Sequence, residues 1–181
     1  MDKTVEKILY SKDKSTAAKQ VAELTSEEQI WELMENYNWD DGYAVPLAAV
    51  SHPCFDRALA LYLFWEIDEA PQHYYAGGEK GLREIYSYML KYQPEEYPVL
   101  VKFCKTLVDG IRVGTYPISS HSYDTGFFGF DNPDLTESQT KLRMAKTKLK
   151  QKEYEDTFLM PVKAEADLFE DELKESQDGG R

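Results

Sequence analysis

Apolar side chains recur at helical spacing over most of this chain, and prolines and glycines cut the pattern into short lengths. Ile30, Trp31, Leu33, Met34 and Tyr37 form the first clear stripe and predict a helix over Ser26–Tyr37. Thr25-Ser26-Glu27-Glu28 reads as its capping box, with the Thr25 hydroxyl accepting from an early amide while Glu28 reaches back. Pro46 cannot lie deep in a helix, so the next one must begin at Tyr43 to Val45, leaving Asp40-Asp41-Gly42 as a turn. Pro53 ends that helix and is expected to open the following one, with Asp56 in its first turn. From Cys54 to Ile67 the chain is apolar on nearly every side, the mark of a central buried helix.

Gly77, Gly78 and Gly81 predict a loop before a helix over Glu79–Tyr92, and Pro94 and Pro98 bracket the entry to another over Glu95–Ile111. Residues 112–131 change character, combining Gly114, Pro117, Gly126 and Gly129 with β-favouring Tyr116, Ile118, Tyr123, Phe127, Phe128 and Phe130. An ordered loop or a small β-hairpin is expected there. Thr136-Glu137-Ser138-Gln139 is a second capping box, starting a basic helix to Lys152 with Leu142, Ala145 and Leu149 facing inward. Phe158-Leu159-Met160-Pro161 should dock back on the core. The fold class that follows is mostly α: a compact multi-helical domain over residues 1–163, helical-repeat-like in its short helices and proline corners. Residues 164–181 form an acidic C-terminal tail, partly helical or disordered, ending in Asp178-Gly179-Gly180-Arg181.

Charge adds a direction to this picture. The net charge of −12 argues against nucleic acid as a partner. Between Val21 and Glu79 stand twelve acids and one base, Arg57, so one third of the chain holds nearly all the imbalance. Lys141–Lys152 carries six bases and no acid; we read it as a solvated face offsetting the acidic region rather than a lipid- or phosphate-binding surface. The first residues lack the apolar core of a secretory signal, and the longest apolar run, Ala58 to Trp65, falls far short of the roughly 20 residues that cross a bilayer. A cytoplasmic location with no membrane partner is expected, and Cys54 and Cys104 are then small buried apolar side chains.

Asn38-Trp39-Asp40-Asp41-Gly42, then Pro46, His52-Pro53-Cys54 and the Ala58-Leu59 run, resemble the bacterial domain-of-unknown-function 4274 family. The late glycine-aromatic segment from Gly114-Thr115-Tyr116 to Phe130-Asp131 extends the resemblance, which spans roughly residues 30–161. It implies a bacterial source and assigns no catalytic or binding residue.

Candidate chemistry is sparse. Asp40 and Asp41 are adjacent in one turn, where carboxylates cap and brace; acid–base or hard-metal work needs carboxylates that converge on one atom. His52 and Cys54 lack the further ligands of a zinc site, His73, His121 and Cys104 being isolated, and Gly77-Gly78-Glu79-Lys80-Gly81 lacks the ending of a phosphate loop. No catalytic residue, metal or cofactor is assigned. The expected function is a protein-binding module, an immunity protein that neutralises a basic toxin, by analogy with the size and charge of such proteins. The expected partner-binding residues are Glu27, Glu28, Glu32, Glu35, Trp39, Asp40 and Asp41. The alternatives are a small hydrolase using Asp40 or Asp41 with His52 or His121, and a regulatory binding protein unrelated to toxins. Oligomeric state is left open.

Overall fold

Short polar side chains start several of the helices of this protein, and those caps decide where these pieces begin. The structure, a computed structural model, describes residues 1–169. Asp2 accepts from the amides of Thr4 and Val5 to open α1 (Lys3–Leu9), and Asp13 accepts from Ser15 and Thr16 to open α2 (Lys14–Gln20). In α3 (Glu27–Asn36) the cap sits one residue later than the sequence suggested. Ser26 Oγ accepts from the Gln29 amide at 3.3 Å, and Gln29 Oε1 accepts from the Thr25 amide at 2.8 Å. Gln29 thus takes the role expected of Glu28, whose carboxylate stays on the surface.

A tight turn, Trp39–Asp41, leads through Gly42 into α4 (Ala44–Val50). Gly42 has φ of 87°, so the backbone there requires glycine; a Cβ would stand 2.9 Å from Glu96 Oε2, an approach the flexible Glu96 side chain can relieve. The next helix, α5 (Arg57–Tyr62), does not begin at Pro53. His52, Pro53 and Cys54 lie in the turn before it, and extended Asp56 is the N-cap, taking the Leu59 amide at 2.7 Å. Its start is set by the carboxylate rather than by the proline. α5 then widens into a π-turn over Leu63–Ile67, and Ala58, Leu59, Ala60, Leu61, Leu63 and Phe64 are buried, making this the central element as expected.

The expected loop at Gly77–Gly81 is replaced by a broken helix. α6 (Ala70–Ile85) already begins at Ala70, with Pro71 in its first turn, and only Gly78 leaves helical geometry, at φ 59° and ψ −149°. Gly77 and Gly81 stay helical, so one kink serves where three glycines suggested a longer interruption. Tyr86 separates α6 from α7 (Ser87–Tyr92), dividing the single helix expected over Glu79–Tyr92. α8 (Tyr97–Val113) follows, ended by left-handed Gly114, and buries Leu100, Phe103, Cys104, Leu107, Val108 and Ile111 against α4, α5 and α6. Among the described residues no hairpin occurs in 112–131. Only Tyr123 pairs with Val162 in an isolated antiparallel bridge, because aromatic residues of the segment turn onto the helices, as Phe127 does against Trp65 at 5.2 Å.

The capping box of α9 (Glu137–Lys150) is present in full, with Gln139 Oε1 accepting from the Thr136 amide at 2.8 Å. Its rotation differs from the expectation. Leu142 and Leu149 are 58% and 61% exposed, Ala145 is exposed, and Arg143 and Thr147 face inward. The reason is that α9 seats on the 122–134 loop rather than on the apolar core. Arg143 grips Asp124 at 3.0 Å and the Phe128 carbonyl at 2.8 Å, and Thr147 donates to the Phe127 carbonyl. Short α10 (Asp156–Leu159) docks as expected, Phe158 meeting Phe64 at 4.9 Å between ring centroids. Residues 165–169 are helical, and the expected disordered end of the tail lies outside the described residues.

Candidate functional site

The stripe that buries Ile30, Leu33 and Met34 turns Glu28, Glu32 and Glu35 to the opposite side of α3, with Trp31 half-buried at the boundary. Asp2, at the entrance to α1, and His121, from the loop after α8, close this side into an open depression of about 500 Å³ lined by Asp2, Glu28, Gln29, Trp31, Glu32, Glu35 and His121. Four carboxylates therefore surround a floor made of an indole and an imidazole. Glu32 Oε2 accepts from the Asp2 amide at 2.8 Å, and its Oε1 stands 3.3 Å from the Met1 ammonium. Among the described residues no lysine or arginine comes within ion-pair distance of Glu28 or Glu35.

Hydrogen bonds favour the charged form of two of these acids, Glu28 and Asp2. The Ser26 hydroxyl and its own backbone amide hold the Glu28 carboxyl below the usual carboxylate range. Gln29 and the Thr4 and Val5 amides do the same for Asp2.

Below the floor lies Asp56, 1% exposed, which ties three parts of the chain together. Its Oδ2 accepts from Trp31 Nε1 at 2.7 Å, from Ser119 Oγ at 2.6 Å and from His121 Nδ1 at 3.0 Å, while Oδ1 caps α5. Trp31 stacks with Tyr62 at 5.7 Å and lies 4.7 Å from the His121 ring, so the indole is held by two neighbouring rings and at its nitrogen. A serine, a histidine and an aspartate meet here, but not as a nucleophilic relay. Ser119 and His121 share one carboxylate oxygen, and the serine lies 3.3 Å from the same imidazole nitrogen that faces Asp56. A relay needs the hydroxyl at the far nitrogen.

The structure brings only part of the expected set together. Glu28, Glu32 and Glu35 share the depression, and Glu27 stands at its edge, where it accepts from Ser120 Oγ at 3.3 Å. Trp39, Asp40 and Asp41 belong to the next turn and do not line it. Trp39 packs inward, 5.8 Å from Tyr37 and 5.9 Å from Phe103, and Asp41 lies 3.4 Å from Lys14 Nζ. Asp40 is exposed beside Asn38, which caps its amide at 3.3 Å. Neither aspartate shares a hydrogen bond with His52 or His121 among the described residues. His52 braces its own corner, Nδ1 accepting from the Cys54 amide at 3.1 Å, and Cys54 is half-buried rather than buried as expected. No group of three or more His, Cys, Asp or Glu residues placed to hold a metal occurs among the described residues.

Asp2, Trp31, Asp56 and Ser119 are the site residues that sequence reasoning missed, and His121 entered it only as a candidate of the hydrolase alternative. Trp31 looked like core, Asp56 like a first-turn acid, and His121 stood alone because its partner is 65 positions away. What the arrangement can do is electrostatic: carboxylates around an aromatic floor suit a guanidinium or ammonium group.

Residues 25–96 match the model of a family described as a domain of unknown function (DUF4274). The match spans α3, the Asn38–Gly42 turn, the His52-Pro53-Cys54 corner and α5. It stops short of the glycine-aromatic segment that the sequence resemblance had included. Glu28, Trp31, Glu32, Glu35 and Asp56 fall inside it, Ser119 and His121 outside. Neither the curated proteins nor the solved structures gave a match.

Proposed function

We propose that this DUF4274-bearing chain is a protein-binding module whose α3 depression seats an arginine or lysine of a basic protein partner. In this reading it is a bacterial, cytoplasmic immunity protein, and the partner is a toxin domain that it neutralises. The observation that supports the reading is the set of four carboxylates around Trp31 and His121, with Glu28 and Glu35 uncompensated by any lysine or arginine among the described residues. A cation entering there gains charge-assisted hydrogen bonds on its flanks and an aromatic face beneath it. Asp56 fixes the indole beforehand, so little ordering accompanies binding. Glu27, Asp40 and Asp41 extend the negative surface and steer the encounter. Trp39 supports the turn from within instead of acting as an anchor. The hydrolase alternative lacks comparable support, since neither Asp40 nor Asp41 meets a histidine among the described residues.

The first test is whether a basic protein is encoded beside this chain, its absence counting against the reading; binding to such a protein is then compared between wild type and Glu28→Lys/Glu35→Lys. That pair leaves Glu32, which holds the amino terminus, intact. The expected result is at least a tenfold loss of affinity, with wild-type binding weakening as salt rises and the far-UV spectrum unchanged. Unaltered affinity in the double variant refutes the assignment of the depression.

A further inference from the structure

The α3 depression reaches His121, and a second cavity starts at the next residue. Ser122, Tyr123 and Asp124 line this larger space of about 650 Å³ together with the 128–134 loop, α9 and residues 161–163. Tyr123 is pinned at its wall by the bridge to Val162, amide to carbonyl at 2.9 Å in both directions. Asp131, Asp134 and Asp167 also line it, each exposed and none in a salt bridge with a described residue. Of the two bases in the lining, Lys163 and Arg143, the latter is spent on Asp124 at 3.0 Å. Carboxylates beside an aromatic wall thus occur twice, on either side of the 121–123 stretch.

A row of half-buried rings joins the two. Trp31, the floor of the first, stacks on Tyr62 at 5.7 Å, and Tyr62 meets Tyr123, the wall of the second, edge-on at 6.0 Å. Tyr62 ends α5, and it stays half-buried while Leu61 and Leu63 beside it are buried completely. Exposed Glu66, one turn further on, accepts from the Tyr123 hydroxyl at 2.9 Å and pairs with no lysine or arginine among the described residues. Rings flanked by carboxylates offer a cation both a π face and an opposite charge. By way of Tyr62, the Trp31 and Tyr123 rings stand at most about 12 Å apart.

We infer that the two cavities and the rings between them act as one surface, which takes a segment of a protein partner bearing two cationic side chains roughly 12 Å apart, one over Trp31 and one beside Tyr123. The inference rests on the α3 depression being a cation seat and adds a second seat, made by Asp131, Asp134 and Asp167, together with a spacing that the partner must match. Charge complementarity selects the occupant: acids stand at both ends and at Glu66 between them. Two open seats, each weak alone, reinforce one another, because filling the first presents the second cation at an effective concentration in the millimolar range.

Glycine-serine peptides carrying either one arginine or two arginines four positions apart, about 13 Å when extended, are the probes. Each is titrated into the isotope-labelled full-length protein, and the Trp31 indole N–H signal, assigned with Trp31→Phe, reports binding. The two-arginine peptide should bind at least tenfold tighter than the one-arginine peptide. Asp131→Asn/Asp134→Asn/Asp167→Asn should bring the two peptides level; these carboxylates are exposed and accept no hydrogen bond from a described residue, so folding is preserved. Glu84→Gln/Glu95→Gln, which removes charge outside both cavities, should leave the tenfold difference in place. A two-arginine peptide no tighter than the single one, or an advantage that survives the triple variant or is lost equally in the Glu84/Glu95 pair, would overturn the inference. The α3 seat itself would still stand in those cases if Glu28→Lys/Glu35→Lys abolished the Trp31 response. A Trp31 signal that answers neither peptide would overturn both readings.

Discussion

Replacing Asp56 by asparagine keeps size and shape and changes only which hydrogen bonds can be made. If the new carbonyl oxygen stays at the α5 cap, the amide group faces Trp31 Nε1, Ser119 Oγ and His121 Nδ1. The serine can rotate and accept, and the imidazole can move its proton to the other nitrogen, but the indole N–H can only donate. If the amide flips, the Leu59 amide is opposed instead. One buried donor is stranded either way, and the remaining bonds lose their charge assistance. A cost of about 2–3 kcal/mol follows. Asp56→Ala removes the cap as well, worth about 1 kcal/mol, and should cost about 3–4 kcal/mol. At roughly 2–4 °C per kcal/mol for a chain of this length, the alanine variant melts about 6–16 °C lower. Urea unfolding followed by circular dichroism reads both, and the decisive measurement is a double-mutant cycle with Trp31→Phe, which keeps a ring on Tyr62 and His121 but removes the donor. The asparagine penalty should fall by about 1–2 kcal/mol when Trp31→Phe is already in place. Additive effects, or a penalty for Asp56→Asn below about 0.5 kcal/mol, would refute the view that the Trp31 bond holds this hub together.

Other consequences are as direct. Gly77→Ala and Gly78→Ala should move stability in opposite directions: the first, helical with open space around it, raises it by about 0.5 kcal/mol, and the second, at φ 59°, lowers it by about 1–3 kcal/mol. Paired thermal melts decide, and equal effects would contradict the single kink in α6. Burial pushes the Cys104 thiol well above its ordinary value, so in the native protein a disulfide reagent at mildly alkaline pH should label Cys54 first and Cys104 only after unfolding. Peptide mapping would show this, and rapid native labelling at Cys104 would speak against the packing of α8. Burial also holds the His52 imidazole below its usual value of 6.5. The unfolded chain then takes up this proton first, so the His52 contribution is present above about pH 6.5 and is lost as pH falls through the folded value; His52→Gln should flatten that part of the stability profile. An unchanged slope between neutral pH and the carboxylate range would show that the corner does not depend on a neutral ring.

Local chemistry settled a good deal of this protein in advance. The mostly α class, the buried run around Leu59 and Phe64, the turn before Pro46, the Thr136 capping box and the docking of Phe158 all follow from spacing, proline geometry and side chains that reach only three or four residues. The acids of α3 were legible for the same reason, since helical period alone puts Glu28, Glu32 and Glu35 beside one another. Decisions between distant residues were not legible. The start of α5 depends on which donors gather at Asp56, and two of them come from residues 119 and 121. The rotation of α9 depends on whether its neighbour is apolar core or a loop rich in carbonyls; periodicity finds a stripe, but not which way the stripe points. Tertiary structure decided those cases because a carboxylate or a guanidinium gains more from a specific buried partner than a leucine loses by staying in water, and only the folded chain says where such partners are.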